Sequence, residues 1–509
     1  MSKLVTKTEY LQMKDKLRAA GKKVVLCHGV FDLVHPGHIL HFEQAREMGD
    51  ILVVSITAER YVRKGPGRPY FDDEMRLKFL EAIQYIDYVM LSEGPTVDDI
   101  VEVVEPDIYV KGEEYKESYN DITGAIENER RLVEKHGGRI AFTGGAKFSS
   151  TKLINNVLRG LPDEVRAYMA EFSQKYSMDD IRAYAEKATD LKVLVVGETI
   201  VDQYTYCFIE GVSNKDRVYS AKAQKTEQFW GGALATAMHV AAFTPDVTYL
   251  SVIGDCEETQ ERAKRELAGE LHLELIDSET FPTIKKQYFL TKDEKREEYR
   301  KIFAVNNLPE ILEYGEAEKQ CLLQKAEQIA EDFDLVIVCD YGYGLLERDV
   351  IDVLERKAKC LAVKCFTDSS NMRLNLITKY KRMSHFLLDA AELNLIYTDY
   401  YETEKQKLEE LSQALHCAGW ITRGSNGAYG IDSDAVYDCP ALTLVVKDTM
   451  GAENAFLAAA SLFAAVGAPI EMGTFIGNTA GALSTNIVGN SKRISKVDIL
   501  RFASTLLNI

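Results

Sequence analysis

The feature that most constrains the fold is an alternation of short apolar runs with helical stretches, in two separate blocks. In the first block, from Lys22 to about Leu161, helical segments separate the runs "VVLC", "ILVVSI", "YVML" and "IYV". A second block of about 320 residues begins at "LKVLVVGETIVD" and alternates in the same way up to residue 509. Strands that alternate with helices form parallel sheets, so the sequence predicts two different α/β domains.

The segment between the blocks has a different character. Residues 161–190 are charged and helical in spacing and carry no strand signal, which predicts a helical connector. The predicted domains are therefore 1–160 and 191–509. A chain of 509 residues is too long for a single hydrophobic core, which agrees with this division.

Composition excludes several classes of partner. The formal net charge of −18, without a concentrated basic stripe, repels a phosphate backbone and argues against nucleic acid. The apolar runs are too short to span a membrane, and the first twenty residues resemble a polar amphipathic helix more than a signal peptide, so we expect a cytoplasmic protein. Nine cysteines without a C-x-x-C pair are typical of reduced, buried thiols and favour neither disulfides nor a zinc site.

The stretch "CHGVFDLVHPGH", Cys27 to His38, connects a predicted strand to a predicted helix. A helix that begins at His38 would present unpaired N–H groups and the positive end of its dipole to an anion. His35 would lie beside the same anion, so the pattern predicts a phosphate site. The alternative is that one histidine caps the helix while the others pack in the core or bind a metal. His28, at the strand end, is equally compatible with lining the pocket and with packing.

Four motifs in order carry a resemblance to a known family: "GVFDLVHPGH", "KGPGRP", "VKGEEY" and "FSSTKLINNVL". Residues 22–160 resemble the cytidylyltransferase-like nucleotidyltransferases, and most closely the adenylyltransferase half of the bifunctional heptose-phosphate kinase/heptose 1-phosphate adenylyltransferases. The resemblance implies a Rossmann-like domain in which His35, His38 and Lys64 are catalytic. The nucleotide-binding residues that it implies are Gly29, Phe31, Asp32, Gly37, Lys111, Ser149, Ser150 and Thr151.

The chemistry of nucleotidyl transfer suits these residue types. An oxygen of the acceptor phosphate attacks the α-phosphorus in line while pyrophosphate leaves, so the protein must position two anions and neutralise growing charge. The resemblance also implies Mg²⁺ held by the nucleoside triphosphate rather than by protein ligands alone. The hydroxyls of "FSST" could equally cap a helix, and Lys64, in a loop, could be a solvated surface lysine.

A second resemblance covers residues 190–509. The segments "LVVGETIVDQY", "WGGALATAMHVA", "CDYGYGLL" and "DTMGAENAFLAAASLFAAVG" are similar to the ribokinase-like (PfkB-type) sugar kinases. The two domains stand in the opposite order from the bifunctional heptose enzymes. The resemblance implies an α/β domain with a small β lid, whose strands "RVYSAKAQ" and "IKKQYFLT" would pair across a homodimer.

The kinase-like block departs from its family at the catalytic motif, D-T-x-G-A-G-D. Glu453 replaces a glycine of the anion hole, and Asn454 replaces the aspartate base, although an amide cannot accept a proton at neutral pH. Ala235 stands where a sugar-contacting asparagine is expected. We therefore expect a degenerate kinase site, consisting of Asp202, Gly231, Gly232, Asp389, Glu392, Asp448, Gly451, Glu453 and Asn454.

The sequence thus predicts an enzyme that transfers a nucleoside monophosphate from ATP or CTP to a sugar phosphate such as heptose 1-phosphate. The products would be a nucleotide-activated sugar and pyrophosphate, and the kinase-like domain would be structural or regulatory. Two alternatives remain: an active sugar kinase in the second domain, or a cytidylyltransferase acting on a polyol phosphate such as glycerol 3-phosphate. No motif distinguishes adenine from cytosine.

Overall fold

The computed structural model describes residues 2–65, 68–112, 125–144, 162–213, 218–254, 256–293, 298–368, 370–397, 401–433, 435–443 and 446–507. The chain divides into two compact units, one formed by Met1–Met169 with Leu500–Ile509 and the other by Ala170–Ile499. The domain boundaries expected from the sequence, 1–160 and 191–509, stay a prediction. They mark where the chain resembles known families, whereas the two units are defined by contacts within the fold.

The first unit is a parallel α/β structure. In chain order its elements are α1 (Lys7–Ala19), β1 (Val24–Gly29), α2 (Pro36–Glu47), β2 (Ile51–Thr57), α3 (Asp73–Glu81), β3 (Tyr88–Ser92), α4 (Asp98–Val104), β4 (Ile108–Gly112), α5 (Ala125–Lys135) and β5 (Arg139–Thr143). The strands pair in the order β3-β2-β1-β4-β5, and every pairing is parallel. The order reverses between β1 and β4, and in such sheets the crevice outside the carboxyl ends of these strands is the usual ligand site.

Alternate side chains of β1 fill two separate cores. Val25 and Cys27 pack with α2 on one face of the sheet, whereas Val24 and Leu26 pack with α4 on the other. Burial on both faces explains why the strand is a continuous apolar run without polar alternation. The loops at the strand ends therefore extend from a rigid, fully covered sheet.

The second unit contains a larger sheet and a smaller one, and two of the helices named with it, Asp163–Lys175 and Lys496–Leu507, extend across the boundaries of the two units. After the connector helices α6 (Asp163–Lys175) and α7 (Met178–Thr189), the elements are β6 (Val193–Gly197), β7 (Thr199–Val212), β8 (Tyr219–Gly231), α8 (Gly232–Ala241), β9 (Val247–Gly254), α9 (Cys256–Leu267), β10 (His272–Ser278), β11 (Ile284–Asp293), β12 (Glu298–Asn307), α10 (Glu316–Ile329), β13 (Leu335–Asp340), α11 (Arg348–Lys357), β14 (Leu361–Cys365), β15 (His385–Asp389), α12 (Ala390–Ile396), α13 (Glu404–Leu415), β16 (Ala418–Thr422), β17 (Ala428–Ile431), β18 (Val436–Cys439), α14 (Ala452–Ala465), α15 (Ile470–Ser484) and α16 (Lys496–Leu507). The larger sheet has the order β10-β9-β6-β13-β14-β15-β16-β17-β18, and the smaller has the order β12-β11-β7-β8.

The predicted fold class is confirmed, because both blocks form α/β units with parallel sheets. The smaller sheet, which we call the lid sheet, contains the two segments that the sequence assigned to lid strands. In the part of the chain that the structure describes, no helix has both the length and the apolar character needed to cross a membrane.

Candidate functional site

The paired histidines lie where β1 ends and α2 begins. α2 starts at Pro36 with His35 as its N-terminal cap, so the sequence-based start at His38 is wrong by two residues. Proline suits the first helical position because its φ is already helical and its missing N–H would have no partner there. Gly37 consequently lies in the first turn, between the two histidines.

The two imidazoles hold each other in one orientation. The backbone N–H of His35 donates to Nδ1 of His38 at 3.4 Å, and the rings stack with centroids 3.9 Å apart. A third histidine, His41, lies 2.6 Å from the hydroxyl of Thr143 at the end of β5. Our sequence analysis did not single out His41, although the recurrence of histidine at every third position was a signal for it.

These histidines are neutral at pH 7. Burial, followed by His35, His41 and Lys64, lowers the pKa of His38 to about 3, although a hydrogen bond with the backbone of Leu33 opposes the shift. Burial lowers the pKa of His41 to about 4 and also lowers the pKa of His35. A neutral imidazole offers one N–H donor and one acceptor nitrogen, so the site can donate hydrogen bonds to a phosphate without carrying a fixed charge.

Phe31 forms the wall behind His38. Its φ of 45° lies in the left-handed region, which costs a residue with a Cβ about 1–2 kcal/mol. This backbone directs the Phe31 ring towards His38 and Phe42, each with a centroid separation of 5.2 Å. A Cβ at Gly29 would lie 3.1 Å from the same ring, so glycine lets the ring approach the strand. Gly29 and Phe31 therefore shape the pocket, and their contact with a nucleotide stays a prediction.

Asp32 anchors the loop that carries Lys64. Its buried carboxylate accepts the backbone N–H groups of Tyr70 at 2.6 Å and Phe71 at 3.1 Å, and the guanidinium of Arg68 at 3.2 Å. Burial lowers the pKa of Lys64, Arg68 acts in the same direction, and Asp32 opposes them. The carboxylate is thus engaged with the loop, while Lys64 stands among other cations, a setting that would attract a phosphate.

The remaining residues assigned from the first resemblance have separate surroundings. Lys111, at the end of β4, forms an ion pair with Glu129 at 2.8 Å. Ser149, Ser150 and Thr151 lie outside the described residues.

His28 is held between β1 and β2. Its Nδ1 is 2.8 Å from the hydroxyl of Ser55, and its Nε2 is 3.1 Å from the hydroxyl of Thr57. Burial, followed by Lys111, lowers its pKa to about 3. Both ring nitrogens are engaged with protein hydroxyls, which favours the packing role over the ligand role.

In the second unit, the amide of Asn454 joins two helix ends. Its Nδ2 donates to the carbonyl of Gly232 at 2.8 Å and approaches the hydroxyl of Tyr341 at 3.5 Å. The side chain is buried at the first turn of α14, next to the start of α8. Asn454 therefore lies in a structural contact, and its amide cannot take a proton from a sugar hydroxyl.

Glu453 is neutralised by a buried lysine. Lys364 is 0% exposed, and its Nζ lies 2.9 Å from a carboxylate oxygen of Glu453 and 2.9 Å from one of Glu392. Burial would lower the pKa of Lys364, but the two carboxylates outweigh it and raise that pKa. Asp389 caps α12 by accepting the N–H of Glu392 at 2.6 Å, and its own N–H donates to Glu392 at 2.8 Å. The side chains of Glu392, Glu453 and Lys364 are thus joined by ion pairs, and Asp389 is hydrogen-bonded to the backbone of Glu392.

Asp448 lies against the lid sheet. Lys301 approaches its carboxylate at 3.1 Å, the hydroxyl of Tyr204 donates at 2.7 Å, and the N–H of Gly489 donates at 2.8 Å. Burial alone would raise the pKa of Asp448, but these donors outweigh it and hold that pKa below its usual value. The aspartate is therefore ionised at neutral pH.

The glycines of the degenerate site permit close approach. A Cβ at Gly231 would collide with the carboxylate of Asp202, and Gly232 and Gly451 adopt φ of 60° and 78°. Burial raises the pKa of Asp202 to about 6 against the effect of two lid-sheet lysines. Ala235 is buried in α8 and offers no polar group for a sugar.

The two parts of the chain are similar to different known proteins. The Cytidylyltransferase-like family model matches residues 26–157. The bifunctional protein HldE of Desulfatibacillum aliphaticivorans is 36% identical over 162 residues, or 31% of this chain and 32% of that protein. HldE of Citrifermentans bemidjiense is 40% identical over 143 residues, or 27% of this chain and 28% of that protein. The chain therefore matches about a third or less of the length of these relatives.

Solved structures resemble the larger part of the chain. Phosphofructokinase-2 from Escherichia coli, in complex with substrates and products, aligns with a TM-score of 0.50 and 14% identity, covering 62% of this chain and 99% of that one. Ribokinase from Thermotoga maritima gives a TM-score of 0.48 and 15% identity, covering 62% and 99%. At this identity the likeness to phosphofructokinase-2 shows a shared fold and nothing about activity.

Proposed function

We propose that the first unit transfers a nucleoside monophosphate from ATP or CTP to a sugar phosphate such as heptose 1-phosphate. The products are a nucleotide-activated sugar and pyrophosphate. The observation that carries this proposal is the stacked pair of neutral imidazoles at the N-terminus of α2. The 36% identity with an HldE protein over this unit supports the same activity.

The residues of the site have complementary roles in this reaction. An oxygen of the acceptor phosphate forms a bond to the α-phosphorus, the bond from that phosphorus to the β-bridging oxygen breaks, and its electron pair leaves with pyrophosphate. His35 and His38 donate N–H groups to the developing charge, together with the first turn of α2. Lys64 neutralises the departing phosphates from its loop. Removing one such donor costs about 3–4 kcal/mol of transition-state stabilisation.

Mg²⁺ fits this site as a companion of the nucleotide. Among the described residues, no group of three or more His, Cys, Asp or Glu side chains is placed to hold a metal ion. Asp32 is engaged by the Lys64 loop, so the nucleotide phosphates themselves would hold the cation. When bound there, Mg²⁺ supplies charge neutralisation.

A pyrophosphate-release screen tests the activity and its substrates. All four nucleoside triphosphates are combined with a panel of sugar 1-phosphates, other sugar phosphates and polyol phosphates that includes glycerol 3-phosphate. We expect release with ATP or CTP and a sugar 1-phosphate. Release only with a polyol phosphate would favour the alternative acceptor, and the absence of release with every pair would contradict the proposal.

Histidine variants test the site itself. His35→Ala and His38→Ala should each lower turnover at least about a hundredfold while leaving the fold intact, because each removes a donor to the reacting phosphates. His272→Ala is the matched control, since His272 is an exposed histidine of the second unit. Equal turnover by the wild type and both site variants would refute the assignment.

We further propose that the kinase-like domain expected from the sequence, residues 191–509, does not phosphorylate sugars and has a structural role. Three observations support this: Asn454 bonds to Gly232, Glu453 bonds to Lys364, and Ala235 is apolar. The full chain is incubated with ATP, Mg²⁺ and a range of sugars and sugar phosphates, and ADP is measured. Nucleotidyl transfer yields pyrophosphate rather than ADP, so ADP formed together with a phosphorylated sugar would refute the loss of kinase activity.

One observation favours the competing possibility of an active kinase. Asp202 is a buried carboxylate with a pKa raised to about 6, which is the range of a general base at neutral pH. If the ADP assay is positive, Asp202→Asn should abolish it. If the assay is negative, the double change Glu453→Gly with Asn454→Asp tests whether those two positions are limiting.

A further inference from the structure

A buried arginine that the sequence analysis did not single out lies beneath the nucleotide site. Arg76, on α3, is 0% exposed. Its Nη1 donates to the carbonyl of Val30 at 2.7 Å and to the carbonyl of Thr57 at 3.0 Å, and its Nη2 pairs with Asp73. Asp73 also accepts the N–H of Glu59 at 2.8 Å. One guanidinium thus joins the segments that follow β1 and β2 to the start of α3.

The contact with Val30 acts on a strained part of the chain. The carbonyl of Val30 belongs to the peptide group whose nitrogen is that of Phe31, so fixing this carbonyl fixes the plane from which the φ of Phe31 is measured. Phe31 holds a φ of 45°, a conformation that persists only where the surroundings determine it. Arg76 supplies such a constraint from below.

The strained residue in turn sets the position of a reacting group. The ring of Phe31 meets His38 in an edge-to-face arrangement with a centroid separation of 5.2 Å. His38 is also held by its stack on His35 at 3.9 Å, by the N–H of His35, which donates to its Nδ1 at 3.4 Å, and by a hydrogen bond with the backbone of Leu33. A shift of the peptide after Val30 would therefore move the ring that fixes the His38 imidazole.

We propose that Arg76 is a positioning residue for His38, acting through the Val30 carbonyl and the Phe31 ring. The inference rests on the nucleotidyl transfer proposed above. It requires the planar fork of arginine, because two carbonyls and a carboxylate are contacted in fixed directions, and a lysine ammonium is a compact point charge. Arg76→Lys should consequently fail to replace it.

The test compares two arginine variants of the full chain. Arg76→Met removes the fork but keeps an unbranched apolar side chain, and Arg60→Met is the matched control because Arg60 is an exposed arginine paired with Glu93 at 3.3 Å. We measure kcat, KM for the nucleoside triphosphate, thermal unfolding, and the imidazole NMR signals of His38 in nucleotide-free protein. We expect Arg76→Met and Arg76→Lys to lower kcat at least about tenfold, to change KM less, and to shift the His38 signals. Arg60→Met should change none of these.

Phe31→Leu makes the test independent of the folding of the Arg76 variants. Leucine keeps an apolar side chain behind His38 but removes the aromatic edge, so the same loss of kcat and the same shift of His38 signals are expected. Unchanged His38 signals and kcat in a folded Arg76→Met protein, or in Phe31→Leu if Arg76→Met does not fold, would overturn the proposal. A wild type without nucleotidyl transfer would refute the proposed function alone, since the NMR signals still report whether Arg76 and Phe31 position His38.

Discussion

The protonation state of His38 decides how the free protein meets its nucleotide. Its imidazole is neutral because burial, His35, His41 and Lys64 all lower its pKa, to about 3. A bound phosphate adds negative charge beside the ring and favours the protonated form. We therefore expect a bound triphosphate to raise the pKa of His38, which would link binding to proton uptake.

The resulting prediction concerns affinity and pH. A group whose pKa rises on binding takes up a proton, so nucleotide affinity should increase as the pH falls through the pKa of the bound state. Because the pKa of His38 in the free protein is about 3, dissociation constants measured by calorimetry at pH 6 and pH 4 should show this increase for the wild type. His38→Asn is the control, since the titration of the triphosphate itself is common to both proteins. An identical pH dependence in the two proteins would contradict the linkage.

At the scale of elements, the loop between β2 and α3 is fixed at one end by a residue of the β1–α2 loop. Asp32 accepts N–H groups from Tyr70 and Phe71 and from the Arg68 guanidinium, whereas Lys64 lies earlier in the same loop. Anchoring one end leaves the position of Lys64 dependent on a single carboxylate.

We predict that Asp32→Ala releases this loop. Limited proteolysis should cleave the variant between Tyr61 and Phe71 faster than the wild type, and turnover should fall at least about tenfold because Lys64 is no longer positioned. Lys64→Ala is the control, since it should lower turnover without increasing cleavage. Equal cleavage rates for the wild type and Asp32→Ala would show that the carboxylate does not hold the loop.

The N-terminus of α14 gives a second prediction at this scale. Lys364→Met would leave the buried carboxylate of Glu392 without a cation and beside the partly exposed carboxylate of Glu453, at a cost of about 3–5 kcal/mol in the free energy of unfolding. Glu453→Gln keeps the Lys364–Glu392 pair and should change stability much less. Thermal unfolding of the two variants should show a large loss of Tm for the first and a small change for the second. Equal losses would mean that Lys364 is not the counterion of both groups.

For the whole molecule, the alternation of apolar runs predicted two parallel α/β units, because strands covered on both faces leave a continuous apolar signal. The sequence gives no comparable signal for the order of the strands or for the partners of charged residues. Both are decided by contacts between residues that lie far apart in the chain. From the sequence alone, Glu453 is a negative charge without a visible partner. The structure shows that its partner is Lys364, on β14. The role of His28 depended on the register that places it opposite Ser55. By contrast, Pro36 was a readable sign of the true start of α2.

The assembly of the molecule is a further proposal. We expect a homodimer through the lid sheet, whose surface exposes Phe208 by 59%, Tyr219 by 67% and Phe303 by 54%. Solution mass should correspond to two chains, and the double change Phe208→Asp with Phe303→Asp should reduce it to one, because charges would be buried in an apolar contact. Leu374→Asp is the control, since Leu374 is 82% exposed and lies outside the lid sheet. A monomeric wild type would contradict the proposal.

The buried Lys364 also constrains which substitutions its two glutamate partners and Lys364 itself can tolerate. With a glycine at position 453, Lys364 would still have Glu392 as its counterion. A single substitution between glycine and glutamate at position 453 is therefore tolerated in either direction. With glutamate at 453, a change of Lys364 to an apolar residue would leave the buried carboxylate of Glu392 and the partly exposed carboxylate of Glu453 without a cation. Lys364 is therefore the position of this site that has to keep its charge, whereas position 453 can be charged or neutral as long as Lys364 stays.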